Sequence, residues 1–178
     1  MVIEMNKKMD KETAKEFTCV LFNASQLHAK PHRKLSNVFS FCWKTAIFIF
    51  VALLFFGFFL IKGDRDVMTT TGALISVICV VFLIVFAVKV NQVYQSIYKR
   101  TDDKGIMTLS ERGINYEVVG RQTYQTSWEC VAFARLFSKS AYVFPSEITG
   151  MIFSVEKEHW EEFKQYLKEN QPNIEIIE

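Results

Sequence analysis

The stretch that decides the fold is residues 41–61, FCWKTAIFIFVALLFFGFFLI, in which Lys44 is the only charged side chain. At about 1.5 Å per residue, a helix of this length reaches across a hydrocarbon core of ~30 Å. A second apolar run covers residues 73–90, with Lys89 as its only charge. Both lysines lie near an end of their run, where the long side chain can bring its ammonium group to the lipid headgroups. The two runs predict a transmembrane hairpin over residues 41–90, with spans at about 41–61 and 73–90.

The remainder of the chain is polar. Outside residues 41–61 and 72–88 lie 39 of the 40 charged side chains of this 178-residue protein. The polar sequence is too short to bury both apolar runs as core helices, so membrane spans are favoured over a soluble core. The contrast also excludes a disordered, collagen-like or disulfide-stapled chain.

The basic residues predict an orientation for the hairpin. The segment between the spans, residues 62–71, is neutral in sum. The basic residues that flank the spans outside this segment are Lys30, Arg33, Lys34, Lys89, Lys99, Arg100 and Lys104. Because cytoplasmic flanks carry an excess of Lys and Arg, we expect a multi-pass protein of the cell membrane with both termini cytoplasmic.

Residues 1–40 predict an amphipathic helix followed by a basic flank. Thr13-Ala-Lys-Glu16 has the spacing of a capping box, and Pro31 ends the helical pattern. The apolar face of this helix consists of Phe17, Leu21, Ala24 and Leu27. Two interpretations are open: the helix lies on the inner leaflet near anionic lipid, or it packs on the C-terminal domain or on the spans.

After a linker helix over residues 91–104, the pattern changes to the period of two that is typical of strands. Residues 105–178 contain six short alternating runs, at about 106–109, 114–118, 124–128, 131–137, 142–144 and 151–155. Helical spacing returns over residues 156–170, and Pro172 follows. We therefore predict a small α+β domain, an antiparallel sheet with a C-terminal helix. It reads as pleckstrin-homology-like, and at about 74 residues it should be marginal but foldable alone.

This layout resembles the YcxB-like family of bacterial membrane proteins. The residues that carry the resemblance are Thr108-Leu109-Ser110-Glu111 with Gly113-Ile114, then Trp128, and the closing helix with Trp160, Phe163 and Leu167. The likeness covers residues 30–170. The family's usual Pro-Lys/Arg element before the last helix is replaced here by Ser154-Val155-Glu156-Lys157. The molecular function of that family is largely uncharacterised, so the resemblance implies an architecture and no activity.

Few residues have a pattern that points to chemistry. The three histidines, His28, His32 and His159, have no nucleophile beside them in sequence, and the four cysteines are scattered singly without metal-ligand spacing. An acidic group, Glu156, Glu158, Glu161 and Glu162, could bind a metal, but acidic residues also favour the first turn of a helix. Trp128 and Trp160 could line a ligand groove, but their spacing favours core positions. We predict no catalytic, cofactor-binding or metal site, and no enzyme.

Two classes of function remain. The first is a membrane-anchored interaction or regulatory protein that binds a protein or lipid partner through its cytoplasmic domain. The second is a small membrane immunity or resistance protein that acts against a toxin or bacteriocin at the bilayer. The expected partners are the lipid bilayer and a protein of unknown identity. Nucleic acid is excluded, because residues 91–178 hold ten basic against thirteen acidic side chains.

Overall fold

A computed structural model describes residues 1–5, 9–62, 67–99, 105–118, 123–147 and 150–178. Parts of the predicted features, namely residues 63–66 between the predicted spans, Arg100 and Lys104, lie outside the described residues. So does Gly120-Arg121, where the sequence predicts a turn between the runs 114–118 and 124–128. The chain forms two units. The first, here called the sheet domain, combines residues 1–35 with 94–178, and the second, the helical hairpin, is residues 36–93.

The described part of the chain contains the following elements. The helices are α1 (Lys11–Ala29), α2 (Val38–Ile61), α3 (Val67–Lys99) and α4 (Trp160–Asn170). The strands are β1 (Val2–Met5), β2 (Gly105–Ser110), β3 (Gly113–Val118), β4 (Thr123–Ser127), β5 (Val131–Leu136), β6 (Ser140–Pro145), β7 (Phe153–Glu156) and β8 (Glu175–Ile177). Short 3₁₀ turns cover Trp128–Cys130 and Lys157–His159.

The helices α2 and α3 are long and apolar, as predicted. Each contains an 18-residue stretch of high mean hydropathy, 2.5 in α2 and 3.0 in α3, and few residues of these stretches are buried, unlike the core helices of a soluble protein. Phe48 and Phe82 are 75% and 72% exposed. The Asn37 side chain caps α2 by accepting hydrogen bonds from the backbone N–H groups of Phe39 and Ser40. Both helices are long and apolar enough to cross a membrane, and α3 continues through the first part of the predicted linker helix.

A glycine on α3 leaves room for an aromatic ring of α2. A Cβ atom placed on Gly72 would lie 2.5 Å from Cε1 of the Phe56 ring. A larger side chain at position 72 would therefore displace the Phe56 ring.

The first sheet of the sheet domain has the strand order β1-β2-β3-β4 and is antiparallel. Its edge strand β1 comes from the N-terminal side of the hairpin, with Ile3 opposite Met107. The sequence pattern of residues 2–5 predicts no strand. The hairpin between β2 and β3 depends on Gly113, whose φ is +153° and where a Cβ would lie 2.0 Å from the carbonyl oxygen of Thr126.

The second sheet has the order β7-β6-β5-β8. The pairs β5–β6 and β6–β7 are antiparallel, while β8 runs parallel to β5. All six predicted strands are present, and the closing helix follows them. The helix α4 begins at Trp160, after a 3₁₀ turn, rather than at Glu156. The expected small sheet domain with a C-terminal helix is thus confirmed, with β1 and β8 as additional strands.

Both faces of the second sheet are covered. On β6, alternate residues enter two different clusters: Ala141 and Val143 face one, Tyr142 and Phe144 the other. The inner cluster contains side chains of the first sheet and of α4, among them Phe163. The outer cluster contains Val20 and Leu27 of α1 together with Phe133. Every residue of β6 is buried, because the strand is sandwiched between α1 and the inner cluster.

The helix α1 therefore packs on the sheet domain, which is one of the two interpretations left open by the sequence. Two details of the prediction were wrong. The N-cap is Asp10, whose carboxylate accepts a hydrogen bond from the Thr13 N–H at 2.6 Å, so Thr13-Ala-Lys-Glu16 is not the capping box. Leu21 is 37% exposed rather than on the packed face. The buried residues of α1 are Ala14, Glu16, Thr18, Cys19, Val20, Asn23 and Leu27.

Candidate functional site

The most elaborate polar site in the sheet domain is built around the Glu16 carboxylate. Glu16 is only 9% exposed and reaches from α1 to the turn between β5 and β6. Its two oxygens accept hydrogen bonds from the backbone N–H groups of Lys139 and Ser140, each at 3.0 Å, and from the Ser138 hydroxyl. We call these four residues the Glu16 cradle. These hydrogen bonds offset the free-energy cost of removing the Glu16 carboxylate from water.

Two aromatic residues, Tyr142 and Phe17, lie next to the Glu16 cradle. The Tyr142 hydroxyl donates to Glu16 Oε1 at 3.5 Å, and the Phe17 ring stacks on the Tyr142 ring with centroids 5.4 Å apart. Burial, and then the negative charge of Glu16, raise the pKa of Tyr142 far above its usual range. Tyr142 is therefore neutral at every physiological pH. The arrangement suits a structural tie between α1 and the sheet rather than proton transfer.

We expect Glu16→Ala to destabilise the sheet domain by about 2–4 kcal/mol, because two backbone N–H groups and a hydroxyl lose their buried acceptor. Glu16→Gln should lose less, since the amide oxygen can still accept. Glu12→Ala is the matched control: Glu12 is on the same helix and its pair with Lys15 is exposed, so its loss should change little. Thermal melts of the three variants check the order. Equal melting temperatures for Glu16→Ala and Glu12→Ala would contradict a stabilising role of the Glu16 hydrogen bonds.

A second polar contact fixes the chain that follows α1. The Arg135 guanidinium on β5 donates to the carbonyl oxygens of Pro31 and Arg33 and lies over the Phe137 ring, 4.6 Å from its centroid. Burial lowers the pKa of Arg135. The residues that the sequence placed near anionic lipid, Lys30, Arg33 and Lys34, are exposed on this segment. The basic flank is thus held on the sheet domain with its charged groups in solvent.

The three histidines lie in separate places. His28 Nε2 is 2.6 Å from the backbone carbonyl oxygen of Ser146, and His32 Nε2 is 3.1 Å from a carboxylate oxygen of Glu175. His159 is at the N-cap of α4, where its ring and the carboxylates of Glu156 and Glu158 have ligand atoms within 4.8 Å of one another. The structure therefore brings together two of the four acidic residues considered as metal ligands.

The other acidic residues of that group point elsewhere. Glu161 pairs with Lys164 at 2.7 Å. Glu161 and Glu162 lie in the first turn of α4, where negative charge is favourable beside the unpaired N–H groups. Exposed carboxylates at a helix start are common without an ion, so these positions fit the helix-end interpretation.

Both tryptophans of the domain are core residues. Trp128 is 7% exposed, and its indole N–H donates to the Ser110 carbonyl oxygen at 2.8 Å. Trp160 is 2% exposed and its ring centroid lies 6.1 Å from that of Phe163. Their alternating and helical spacing indicated these core positions.

Sequence reasoning missed the segment after α4. Ile174 and Ile177 are 8% and 4% exposed and enter the inner and the outer cluster respectively. Glu178 pairs with Lys164 at 2.7 Å. The apolar spacing of Ile174, Ile176 and Ile177 after Pro172 was the available signal, but so short a run does not show which strand it pairs with.

The candidate site thus consists of hydrogen bonds and ion pairs within the sheet domain, most of which join segments far apart in sequence. Glu16 and Arg135 connect α1 and its following segment to β5 and β6, while Lys164 and His32 hold the β8 segment. No protein-family model, curated protein or solved structure matches the chain.

Proposed function

We propose that this chain is a membrane-anchored interaction protein. In this proposal α2 and α3 span the cell membrane, and the sheet domain is a cytoplasmic, pleckstrin-homology-like module that binds a protein partner. One observation carries the proposal: the apolar hairpin is inserted between two parts of a single folded unit, residues 1–35 and 94–178.

The insertion supports a topology. Because the chain before and after the hairpin folds together, both ends of the hairpin belong on one side of the bilayer. The excess of Lys and Arg on these flanks favours the cytoplasmic side. The exposed apolar side chains of α2 and α3 are of the kind that contacts the hydrocarbon core of a bilayer.

The strand orders support the pleckstrin-homology-like assignment. Such a fold has two antiparallel sheets closed by a C-terminal helix. The orders β1-β2-β3-β4 and β7-β6-β5, followed by α4, fit this description. The helix α1 and the strand β8 are then additions to it. Membership of the YcxB-like family is part of this proposal and rests on the sequence resemblance.

The contacts of the domain favour binding over catalysis. Its most buried charged group, Glu16, is saturated by hydrogen bonds that join α1 to the sheet. Its buried phenol, Tyr142, has a raised pKa and holds its proton. Groups arranged in this way stabilise the fold that presents a binding surface.

We expect a cysteine at position 70 to react with an impermeant thiol reagent in intact cells, and a cysteine at position 111 to react only after lysis. The test uses Thr70→Cys and Glu111→Cys, both at exposed positions, after the four native cysteines are replaced by alanine. Labelling of position 111 alone in intact cells would place the sheet domain outside and overturn the topology.

The binding function is tested by a photoreactive side chain introduced at single positions in living cells. Gln125 and Glu117 are exposed positions on the sheet domain, and Phe48 and Phe82 are exposed on the hairpin. We expect a discrete protein adduct from the domain positions and lipid adducts from the hairpin positions. A protein adduct from the hairpin alone would contradict the proposal and favour an immunity protein that acts in the bilayer.

A further inference from the structure

The strand β8 covers the edge of the second sheet. It pairs in parallel with β5, with Phe133 opposite Glu175, Ala134 opposite Ile176 and Arg135 opposite Ile177. Its side chains alternate between the two faces of the sheet: Ile177 enters the outer cluster with α1, and Ile176 packs against the inner cluster. The β5 edge thus receives a strand and also offers apolar contacts on both faces.

A histidine and a lysine lie opposite the acidic residues of this segment. His32 Nε2 is 3.1 Å from Glu175, and Lys164 Nζ is 2.7 Å from Glu178. The hydrogen bonds that the Lys164 ammonium donates to Glu161 and Glu178 raise the pKa of Lys164. The edge therefore selects an extended segment with apolar residues at the positions of Ile174 and Ile177 and acidic residues at those of Glu175 and Glu178.

Among the described strands, β8 is the shortest, with three residues. It is bonded along one of its edges, to β5, and it follows α4 through the turn Gln171-Pro172-Asn173. Elements with few backbone hydrogen bonds open at a lower free energy than central strands. When β8 opens, the N–H and C=O groups of β5 become available to another strand.

We propose that the β5 edge is a strand-acceptor site for an extended acidic–apolar segment of a partner protein, and that β8 occupies this site until the partner displaces it. The proposal rests on the proposed function and names the surface and the chemistry of its partner. The segment of known fit is Ile174-Glu175-Ile176-Ile177-Glu178, so a partner segment should have this pattern.

The experiment uses the full chain in detergent micelles and a fluorescent peptide of residues 171–178, QPNIEIIE, as the probe. Two chains expose the site: one that lacks residues 171–178, and one that carries Ile177→Asp, which introduces a charge at a buried position. Anisotropy should show that both bind the peptide with a Kd at least about tenfold lower than the unchanged chain, in which β8 competes at high effective concentration.

A charge swap tests the register. A peptide with Glu178→Lys should bind the Ile177→Asp chain several-fold more weakly, and adding Lys164→Glu to that chain should restore its binding. A peptide with Ile177→Asp is the matched control, and we expect no binding.

Three results would overturn the proposal. The first concerns the truncated chain and the Ile177→Asp chain: either of them melts normally and does not bind the peptide, or both fail to fold. Failure of both to fold would make β8 a permanent part of the core. The second is that the unchanged chain binds the peptide as tightly as the variants. The third is a dimer of the unchanged chain that Ile177→Asp abolishes, which would identify a second copy as the occupant. A domain adduct in cells together with any of these would leave the proposed function standing.

Discussion

Contrary to the expectation from the sequence, residues 105–178 expressed alone should not fold into a cooperatively melting domain, whereas a chain that joins residues 1–35 directly to 94–178 should. The linker that replaces the hairpin would be about 12 Gly/Ser residues, with a mean span of about 20 Å. The measurements are near-ultraviolet circular dichroism and a thermal melt in buffer without detergent. The comparison tests whether the segments on the two sides of the hairpin form one unit.

The physical reason is the amount of apolar surface that residues 1–35 cover. Without α1, the side chains of Phe133, Tyr142 and Phe144 on the outer face of the second sheet meet water. Exposing a large apolar side chain costs about 1.5–3 kcal/mol, so these three alone cost roughly 5 kcal/mol or more. A small domain possesses about 5–15 kcal/mol in total. Loss of β1 also removes Ile3 from the inner cluster and leaves β2 as an open edge.

Ile3→Asp in the joined chain is a control for the strand, and Glu16→Ala is a control for the helix. Each should lower the melting temperature without abolishing the transition. If residues 105–178 alone melted as cooperatively as the joined chain, β1 and α1 would be accessory elements. Residues 1–35 and 94–178 would then not need each other to fold.

The elements that could be predicted from the sequence have a strong local signal. The two long apolar helices follow from the apolar runs over 41–61 and 73–90, and the six strands of 105–155 follow from alternation between turns. The spacing of Trp160, Phe163 and Leu167 likewise shows the buried face of α4. In each of these cases the neighbours in sequence are also the neighbours that determine the structure.

The elements that could not be predicted depend on distant partners. The four residues of β1 pair with β2, more than a hundred residues later, across the whole hairpin. Glu16 has the local spacing of a capping residue, but its partners Ser138 to Ser140 are 122 to 124 residues away. There the tertiary contact prevailed over the local one, because Asp10 already caps the helix. The candidate site consists of such long-range contacts, so no local sequence motif predicts it.

The second large effect is expected at Trp160, at the start of α4. The side chain is 2% exposed in the inner cluster, beside Phe163. Trp160→Ala should therefore open a cavity beneath the helix and destabilise the domain by about 3–5 kcal/mol. Trp160→Phe should lose much less. The indole Nε1 is buried without a hydrogen-bond partner among the described residues, so removing it leaves no donor unsatisfied.

His159→Ala, one residue away, separates a structural role of α4 from a catalytic one. His159 is partly exposed, near the carboxylates of Glu156 and Glu158, and its side chain does not belong to the packed face. We expect its replacement to leave both the melting temperature and the yield of the domain adduct nearly unchanged. Trp160→Ala should lower both together, because the partner surface unfolds with the domain. If the domain used this imidazole for acid–base chemistry, His159→Ala would abolish function in a protein that still melts normally. That result would replace a binding module with an enzyme, since no change in packing could account for it.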